Sequence, residues 1–417
     1  MKDPDIEKRT LKHEEEYPLI RHIEAVPINF QNMDMILIRD PASLTDKMLM
    51  VPPDVFFIIS RFDGKHKTSE IQVEYNRKFG RLIFSDKIRS IMAELDAALL
   101  LENDRYRKYM EFLNDEFGKQ DYREASLAGK GYSDNPEELR EELSDFFIDL
   151  PEDEHPDDIP VGIAAPHIDF QRGNRTYGFA YRELKKSDAN LFIIFGTSHH
   201  SADNLIALTK KTFKTPLGDI PTDKDFIDKL TSYCKTDYHQ DEYLHRTEHS
   251  IEFQAVMLKY IFPDRDIRIV PVLVHSFDDF GIKGINPMDE PKVREFISAM
   301  KKTIKSGGYK PAFISGIDFA HVGLAFGDLI APTLTQMKSL EEDELKSIGL
   351  VEKMDADGFF ADVIKDQEKR RVCGLSPLYT MMKCMDADYG RLLEYRQCVD
   401  PMGFSNVTIA ALGFYSG

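Results

Sequence analysis

Histidines stand where several apolar runs of this chain end. Only 12 of the 417 residues are histidine, yet four apolar runs lead directly into one. They are His167 in "VGIAAPH", His199 and His200 in "LFIIFGTSHH", His275 in "IVPVLVHS" and His321 in "AFISGIDFAH", a run that also contains Asp318. Neutral imidazoles grouped with a carboxylate or a thiolate bind divalent transition metals, and iron, copper and zinc are all chemically acceptable. The pattern predicts a metal site, and the alternative for each single histidine is a hydrogen-bonded structural role.

The segment "RTEHSIEFQ" offers a second group of polar side chains. His249 and Glu252 are three residues apart, so they share one face of the helix that this segment predicts. Glu252 would then fix the tautomer of a metal ligand or of His249, a task that metal sites require of a neighbouring group. The alternative is that Glu248 and Glu252 only cap the start of the helix.

Cys373 in "RRVCGLSPL" precedes a predicted helix start at Ser376 and Pro377. The helix N-terminus and the neighbouring Arg370 and Arg371 lower the pKa of a thiol, which favours the thiolate that binds metals or attacks electrophiles. The alternative is a small buried hydrophobic residue. The remaining cysteines form no CxxC pair and are interpreted as reduced thiols: Cys234, Cys384 and Cys398.

Other signatures of chemistry are absent from the sequence. Ser198 lies in Gly196-Thr197-Ser198-His199-His200, which is not the G-x-S-x-G pattern of a serine nucleophile. There is no Walker A sequence and no G-x-G-x-x-G after a strand. A serine hydrolase and a nucleotide-binding protein are therefore disfavoured.

Charge and hydropathy narrow the classes of partner. Lys and Arg number 54 against 72 Asp and Glu, a net charge of -18 that repels nucleic acid and anionic membranes. The N-terminal residues lack an apolar signal-peptide core, and no stretch approaches the roughly 18 apolar residues of a membrane helix. We predict a cytoplasmic protein with no nucleic-acid or membrane partner.

The candidate residues need a scaffold, and the alternation of elements predicts one. Strand-like runs such as "IPVGIAAPH", "ANLFIIFGTSHH", "DIRIVPVLVHS" and "NVTIAALGFYS" alternate with helices such as "EHSIEFQAVMLKYIF" and "PKVREFISAMKKTIKSG". Continuous apolar runs separated by helices predict an α/β fold with a mostly parallel central sheet covered on both faces. Ligands of such sheets bind outside the carboxyl ends of the strands, which is where the histidines stand.

The N-terminal quarter of the chain predicts a separate, smaller module. Residues 1–24 are charged and predicted to be flexible, and residues 25–103 contain one short strand followed by amphipathic helices. Residues 104–120 predict a linker or connecting helix, and the α/β domain follows from residue 121 to 417.

The chain resembles the Memo family, and specifically its microbial members called AmmeMemoRadiSam system protein B. The resemblance rests on ordered motifs between residues 121 and 417, namely "IAAPHIDF", "FGTSHH", "KTPLGDI", "EHSIEFQ", "IVPVLV", "SGIDFAH" and "VCGLSPL". It implies a fold similar to the class III non-haem iron extradiol dioxygenases. It also implies that iron or copper is bound by His167, His199, His321 and Cys373, with Asp318 in the same pocket.

Two features qualify the resemblance. The family's early "SHAG" motif reads "ASLAG" here, with Leu127 in the position of the histidine. The module at residues 25–103 resembles PqqD-like winged-helix domains, which hold a peptide for a modifying enzyme, through "ILIRDP", "FDGKHKTSEI" and "RKFG". A plain structural extension is the alternative for this module.

Two hypotheses about function follow. The first is a metal-dependent oxidoreductase or dioxygenase-like enzyme that uses iron or copper, with zinc also acceptable, on a small-molecule or peptide substrate. In it Asp318, His249 and His200 support the metal or transfer protons. The second is a non-catalytic metal-binding or scaffold protein that acts with AMMECR1-type and radical S-adenosylmethionine proteins. Metal binding by the isolated chain discriminates between the enzyme and a scaffold that holds no metal.

Overall fold

The computed structural model describes residues 13–21, 23–31, 33–40, 44–45, 47–200 and 204–417. Most of the predicted flexible segment, residues 1–24, lies outside these ranges. The chain divides into two compact units, Met1–Lys119 and Gln120–Gly417. Within the described ranges, no helix is both long and apolar enough to cross a bilayer.

The first unit combines a small antiparallel sheet with helices. The strands are β1 (Glu24–Phe30), β2 (Met33–Arg39) and β3 (Leu49–Val51), in that order in the sheet. The helices are α1 (Pro53–Ile59), α2 (Thr68–Phe79), α3 (Ser85–Ala97) and α4 (Asp104–Gly118). The prediction of one strand in this region was incomplete, because the turn between β1 and β2 places Gln31 at a positive φ of 51° without a Gly or Pro signal. The winged-helix assignment stays a prediction.

The predicted linker at residues 104–120 is occupied by α4, which belongs to the first unit. Asn103 caps this helix by accepting a hydrogen bond from the backbone N–H of Tyr106, which satisfies one of the free amides at the helix start.

Among the described residues, the second unit contains ten strands, and eight of them form one mixed sheet. Its strands are β4 (Tyr122–Arg123), β5 (Gly162–Ala165), β6 (Leu191–Thr197), β7 (Ile206–Leu208), β8 (Thr212–Phe213), β9 (Arg268–Val274), β10 (Ala312–Gly316), β11 (His321–Gly323), β12 (Tyr389–Val399) and β13 (Ser405–Tyr415). Its helices are α5 (Pro136–Asp145), α6 (Phe170–Leu184), α7 (Lys224–Thr231), α8 (His249–Ile261), α9 (Asp278–Lys283), α10 (Pro291–Gly307), α11 (Leu334–Glu352), α12 (Ala356–Ile364), α13 (Gln367–Arg370) and α14 (Leu375–Cys384).

The sheet is parallel at its centre and antiparallel at both margins. The order is β11–β13–β5–β10–β6–β9–β7, with β12 pairing on β13, while β4 and β8 form a separate small pair. The strands β5, β10, β6 and β9 run parallel to one another. The α/β class is therefore confirmed, and the parallel order extends over the four central strands. The long strands β12 and β13 pair antiparallel, as the short connection of a hairpin permits.

Both faces of the central strands are buried, as their continuous apolar sequences predict. In β6, Ile193 and Phe195 belong to one hydrophobic core, while Phe192 and Ile194 belong to another. Because successive side chains of a strand point to opposite faces, each face of the sheet has its own core. The carboxyl ends of the central strands are thereby held in fixed positions relative to one another.

Glycines at two of these carboxyl ends let α8 approach the sheet closely. A Cβ atom on Gly316, the last residue of β10, would lie 2.3 Å from the backbone oxygen of Ser250. A Cβ atom on Gly196 in β6 would lie 2.5 Å from Ser250 Oγ. Only a residue without a side chain fits at such distances, so these glycines bring the start of α8 next to the strand ends.

Candidate metal centre

The predicted site residues lie just beyond the carboxyl ends of the central strands. His167 lies two residues after β5, His199 two residues after β6, and Asp318 two residues after β10. His321 begins β11, and Cys373 lies two residues before α14. The parallel order of β5 and β10 brings His167 and Asp318, which are 151 positions apart in the chain, into contact.

Three of these residues lie close enough together to bind one metal ion. One ligand atom each from His167, His199 and Cys373 lies within 4.8 Å of the other two. Cys373 Sγ is 3.2 Å from His167 Nε2, and the two imidazole rings meet edge to face with centroids 5.0 Å apart. His167 is buried, whereas 33% of the His199 side chain is exposed, which gives the group access to solvent.

Hydrogen bonds orient the two histidines of this group. His167 Nδ1 lies 2.9 Å from the backbone oxygen of Gly316, an acceptor, so Nδ1 carries the proton. His199 Nδ1 lies 3.0 Å from Glu248 Oε1, which assigns its proton in the same way. In the neutral form of each ring the Nε2 lone pair is left free for a metal ion.

His321 has the same arrangement but stands slightly apart. Its Nδ1 lies 3.0 Å from the backbone oxygen of Phe319 and 3.1 Å from that of Arg371, so its Nε2 is also available as a ligand atom. Arg371, which His321 contacts, lies two residues before Cys373 in the chain. His321 does not join the group within 4.8 Å, so its role as a ligand stays a prediction.

The Cys373 thiol is poised to ionise. Burial alone would raise its pKa, but the charges of His167 and His321, with hydrogen bonds from His167 and His199, lower the pKa to about 5. Gly374, the residue before α14, follows Cys373 directly, so the positive end of that helix favours the thiolate as well. The interpretation of Cys373 as a packing residue is therefore disfavoured.

The remaining cysteines have the opposite character. Burial raises the pKa of Cys234 and of Cys398 to about 11, and it also raises the pKa of Cys384. This agrees with their interpretation as reduced packing thiols.

Asp318 holds the loop after β5 next to the group. Its Oδ1 accepts hydrogen bonds from the backbone N–H of His167 at 2.9 Å and of Ile168 at 3.2 Å. Its Oδ2 lies 3.7 Å from His167 Nε2. Burial alone would lower the pKa of His167, but the charges of Cys373 and Asp318 raise it to about 9. The carboxylate of Asp318, the imidazole of His167 and the thiolate of Cys373 therefore interact with one another.

His249 lies against the group, and no ring contact with the group is found for His200 among the described residues. The His249 ring stacks on that of His199 with centroids 4.7 Å apart and meets that of His167 edge to face at 5.3 Å. Burial lowers the pKa of His249 to about 3, so its imidazole is neutral at pH 7. His200 lies next to residues 201–203, which are outside the described ranges. His275 follows β9 but does not join either ligand group.

The predicted partnership of Glu252 with a histidine is wrong. Glu252 faces the other way, where it pairs with the buried Arg123 and accepts hydrogen bonds from Ser126 and from the backbone N–H of Leu127. Glu248 has the role that we assigned to Glu252, because it orients His199 while it caps α8 through the N–H groups of His249 and Ser250. The sequence placed Glu248 beside His249 but gave no sign that the strand end with His199 lies opposite.

The donor set fits a divalent transition metal. A thiolate is a soft ligand, and an imidazole that binds through Nε2 is an intermediate one. Together they suit iron, copper and zinc better than magnesium or calcium. Each Nδ1 is already bonded to a carbonyl or a carboxylate, as in established metal sites. A second group of ligand atoms, from His199, Glu248 and His249, shares His199 with the first.

Comparison with known proteins identifies the family of the chain. The family model described as "Memo-like protein" matches residues 123–414. A MEMO1 family protein of Aquifex aeolicus is 26% identical over 402 residues, which cover 95% of this chain and all of the relative. A MEMO1 family protein of Methanosarcina barkeri is 27% identical over 290 residues, 69% of this chain and 97% of the relative. The chain belongs to the Memo family.

Proposed function

We propose that this protein is a metal-dependent enzyme of the redox or oxygenase type, with iron or copper held by His167, His199 and Cys373 and with His321 as a further ligand. The observation that carries the proposal is the orientation of the rings. Each of the three histidines has Nδ1 bonded to an acceptor, so Nε2 is the ring atom that would bind a metal ion. The Nε2 atom of His167 lies 3.2 Å from the Cys373 thiol, whose pKa is about 5. Zinc is the third metal that this donor set suits.

The chain's own residues supply what such chemistry needs besides the metal. An iron or copper ion would provide electron transfer when bound. Asp318 fixes the position of His167 through two backbone hydrogen bonds, and Glu248 fixes His199. The neutral imidazole of His249 is in ring contact with both histidines, and its Nδ1 lies 3.2 Å from Glu248 Oε1. Because its pKa is about 3, we assign it support of the two ligands instead of proton transfer. We assign proton transfer to His200, the residue after His199.

The metal content of the purified chain tests this proposal. We expect about one iron or copper ion per chain in protein purified without oxygen and without an affinity tag, measured by mass spectrometry. The double variant His167→Ala, His199→Ala should lose the metal, since two of the ligands are gone. The control His155→Ala, whose side chain is 50% exposed, should keep it. Absence of metal after reconstitution with iron, copper or zinc would contradict the proposal and favour the scaffold hypothesis with AMMECR1-type and radical S-adenosylmethionine partners.

Replacing Glu248 with glutamine should weaken metal binding without removing the site. The variant exchanges the carboxylate that orients His199 for a neutral amide, and such changes cost about 10- to 100-fold in metal affinity. Titration with a competing chelator measures the affinity, and the number of ions bound at saturation should not change. Glu290→Gln is a matched control, because Glu290 also caps a helix, α10, but does not contact the site. An equal loss in both variants would show that helix capping, not the orientation of His199, is responsible.

A further inference from the structure

A small cavity opens beside the candidate metal centre. Its volume is about 210 Å³, and both His199 and Cys373 line it. Four other lining residues decide which ligand it suits, namely Asp278, Gln367, Arg371 and Ser376. A molecule in this cavity would touch the same two side chains that the proposed metal uses.

Asp278 is the charged group of the cavity wall without a counter-ion. Among the described residues, no Lys, Arg or His forms an ion pair with it. Gln367 Nε2 donates a hydrogen bond to Asp278 Oδ1 at 2.9 Å, and Gln367 itself is held by hydrogen bonds with the backbone of Val372. One carboxylate oxygen is therefore fixed by a neutral amide, and the negative charge is left for a ligand.

Both basic side chains of the wall are already paired with carboxylates, His199 with Glu248 at 3.0 Å and Arg371 with Asp328. Arg371 Nη2 donates to Asp328 Oδ1 at 2.6 Å, and Nη1 donates to the backbone oxygen of His321 at 3.0 Å. This pair holds Arg371 by charge-assisted hydrogen bonds, which are stronger than neutral ones. The cavity therefore carries an unbalanced negative charge from Asp278, next to the ionisable thiol of Cys373.

The hydroxyl groups of the wall offer both donors and acceptors, because a serine hydroxyl that accepts a hydrogen bond still has its own proton to donate. Ser376 Oγ accepts from the backbone N–H of Phe277 at 2.8 Å, and Ser276 Oγ accepts from that of Asp278 at 3.0 Å. Thr197 donates its hydroxyl proton to the backbone oxygen of Cys373 at 3.1 Å, which leaves its lone pairs exposed to the cavity. The hydroxyls therefore do not decide the class of ligand, and the charge of Asp278 does.

The volume limits the size of the ligand. A cavity of about 150 Å³ holds benzene, and pockets for drug-sized molecules begin at about 300 Å³. A volume of about 210 Å³ lies between these values and suits a molecule of about seven to twelve non-hydrogen atoms.

We propose that the substrate of this site is a small primary amine whose ammonium group binds Asp278 while the rest of the molecule reaches toward His199 and Cys373. This inference rests on the proposed function, since it names the substrate class of that same site. Gln367 is a positioning residue, because it acts on the ligand through Asp278.

Binding of three matched probes tests the substrate class. Aminopentanol, pentanediol and hydroxypentanoate share a five-carbon chain and a hydroxyl group, and differ at the other end by carrying an ammonium, a hydroxyl or a carboxylate group. Affinity is measured with the full chain by ligand-observed nuclear magnetic resonance, up to about 10 mM of probe. We expect aminopentanol to bind at least about tenfold more tightly than either of the others.

Two substitutions in the first turn of α9 locate the ammonium site. Asp278→Asn should lower the affinity for aminopentanol at least about tenfold, because the amide keeps the shape and removes the charge. Asp279→Asn is the matched control, since the Asp279 side chain is 78% exposed and lies outside the cavity wall, and it should leave the affinity unchanged. Equal binding of the three probes, binding of none of them, or equal losses in the two variants would each overturn the proposal.

Metal content measured in the same preparations separates the two claims. Asp278→Asn should keep its full metal content, because Asp278 belongs to neither group of ligand atoms. Loss of amine selectivity in metal-loaded wild type overturns the substrate class alone. Selective amine binding that depends on Asp278 in a chain that binds no metal overturns the proposed function alone.

Discussion

Replacing Cys373 with alanine should lower the affinity for iron, copper and zinc by more than about 100-fold. Loss of a supporting group alone costs about 10- to 100-fold, and this change removes a ligand. The thiolate is also the anion that the surrounding histidines stabilise, since it lies 3.2 Å from His167 Nε2 and its pKa is about 5. Competition with chelators of known affinity measures the loss.

The control for this prediction is Cys384→Ala. Cys384 lies at the other end of the same helix, α14, is 3% exposed and has a raised pKa because it is buried in apolar surroundings. Its replacement should lower the stability of the fold and leave metal affinity unchanged. A Cys373→Ala variant that binds metal as tightly as wild type, or an equal loss in both variants, would show that Cys373 is not a ligand.

Replacing Glu252 with glutamine should destabilise the second unit by about 3–5 kcal/mol. The side chains of Arg123 and Glu252 are 0% and 1% exposed, so the variant leaves a buried guanidinium without its counter-charge. It also weakens the bonds that hold the "ASLAG" segment, where Glu252 accepts from Ser126 and from the backbone N–H of Leu127. Thermal unfolding of this unit should shift downward by about 5–8 °C.

Glu124→Gln is the matched control for that prediction. Glu124 follows Arg123 directly and pairs with Lys214 at 3.4 Å, but the two side chains are 63% and 34% exposed. Exposed pairs contribute about 0–1 kcal/mol, so the control should unfold within a few degrees of wild type. Equal shifts in both variants would contradict the assignment of the buried pair as a major source of stability.

The effect of Glu252 should depend on pH in a defined direction. Burial alone would raise its pKa, but the charge of Arg123 and the hydrogen bonds to Tyr132, Leu127 and Ser126 lower it. A carboxylate with a lowered pKa in the folded state stabilises the fold above its unfolded-state pKa of about 4.3 and loses that contribution as the pH falls through the folded-state value. The stability difference between wild type and Glu252→Gln should therefore shrink from pH 7 to about pH 3. A difference that stays constant over this range would contradict the charged pair.

The positions of the strand ends could be predicted from the sequence, because a buried strand is marked by its own run of apolar residues. Continuous apolar runs marked β5, β6, β9 and β10, and the general rule for open α/β sheets placed His167, His199 and Asp318 at one edge. The strand β12 was missed, because its sequence mixes charged and apolar residues in the pattern of a half-exposed strand. Its assignment depends on pairing with β13, a contact that the local pattern does not contain.

The groups that orient the histidines could not be predicted from the sequence, because their positions depend on how the helices and strands pack against one another. Spacing within α8 indicated Glu252 as the partner of a histidine, but the close approach of Ser250 to Gly196 and Gly316 turns Glu248 toward His199 instead. The tautomer of His167 depends on a backbone oxygen 149 residues away. Such contacts follow from tertiary packing and leave no trace in the local sequence.

X-ray absorption at the zinc edge of the zinc-loaded full chain tests the proposed ligand set most directly. Zinc is a suitable probe because it has no redox chemistry and well-defined bond lengths. We expect one sulfur at about 2.3 Å with nitrogen ligands at about 2.0–2.1 Å in the wild type, and loss of the sulfur in Cys373→Ser. A shell of nitrogen and oxygen alone in the wild type, or a sulfur that persists in the variant, would contradict a centre built from His167, His199 and Cys373.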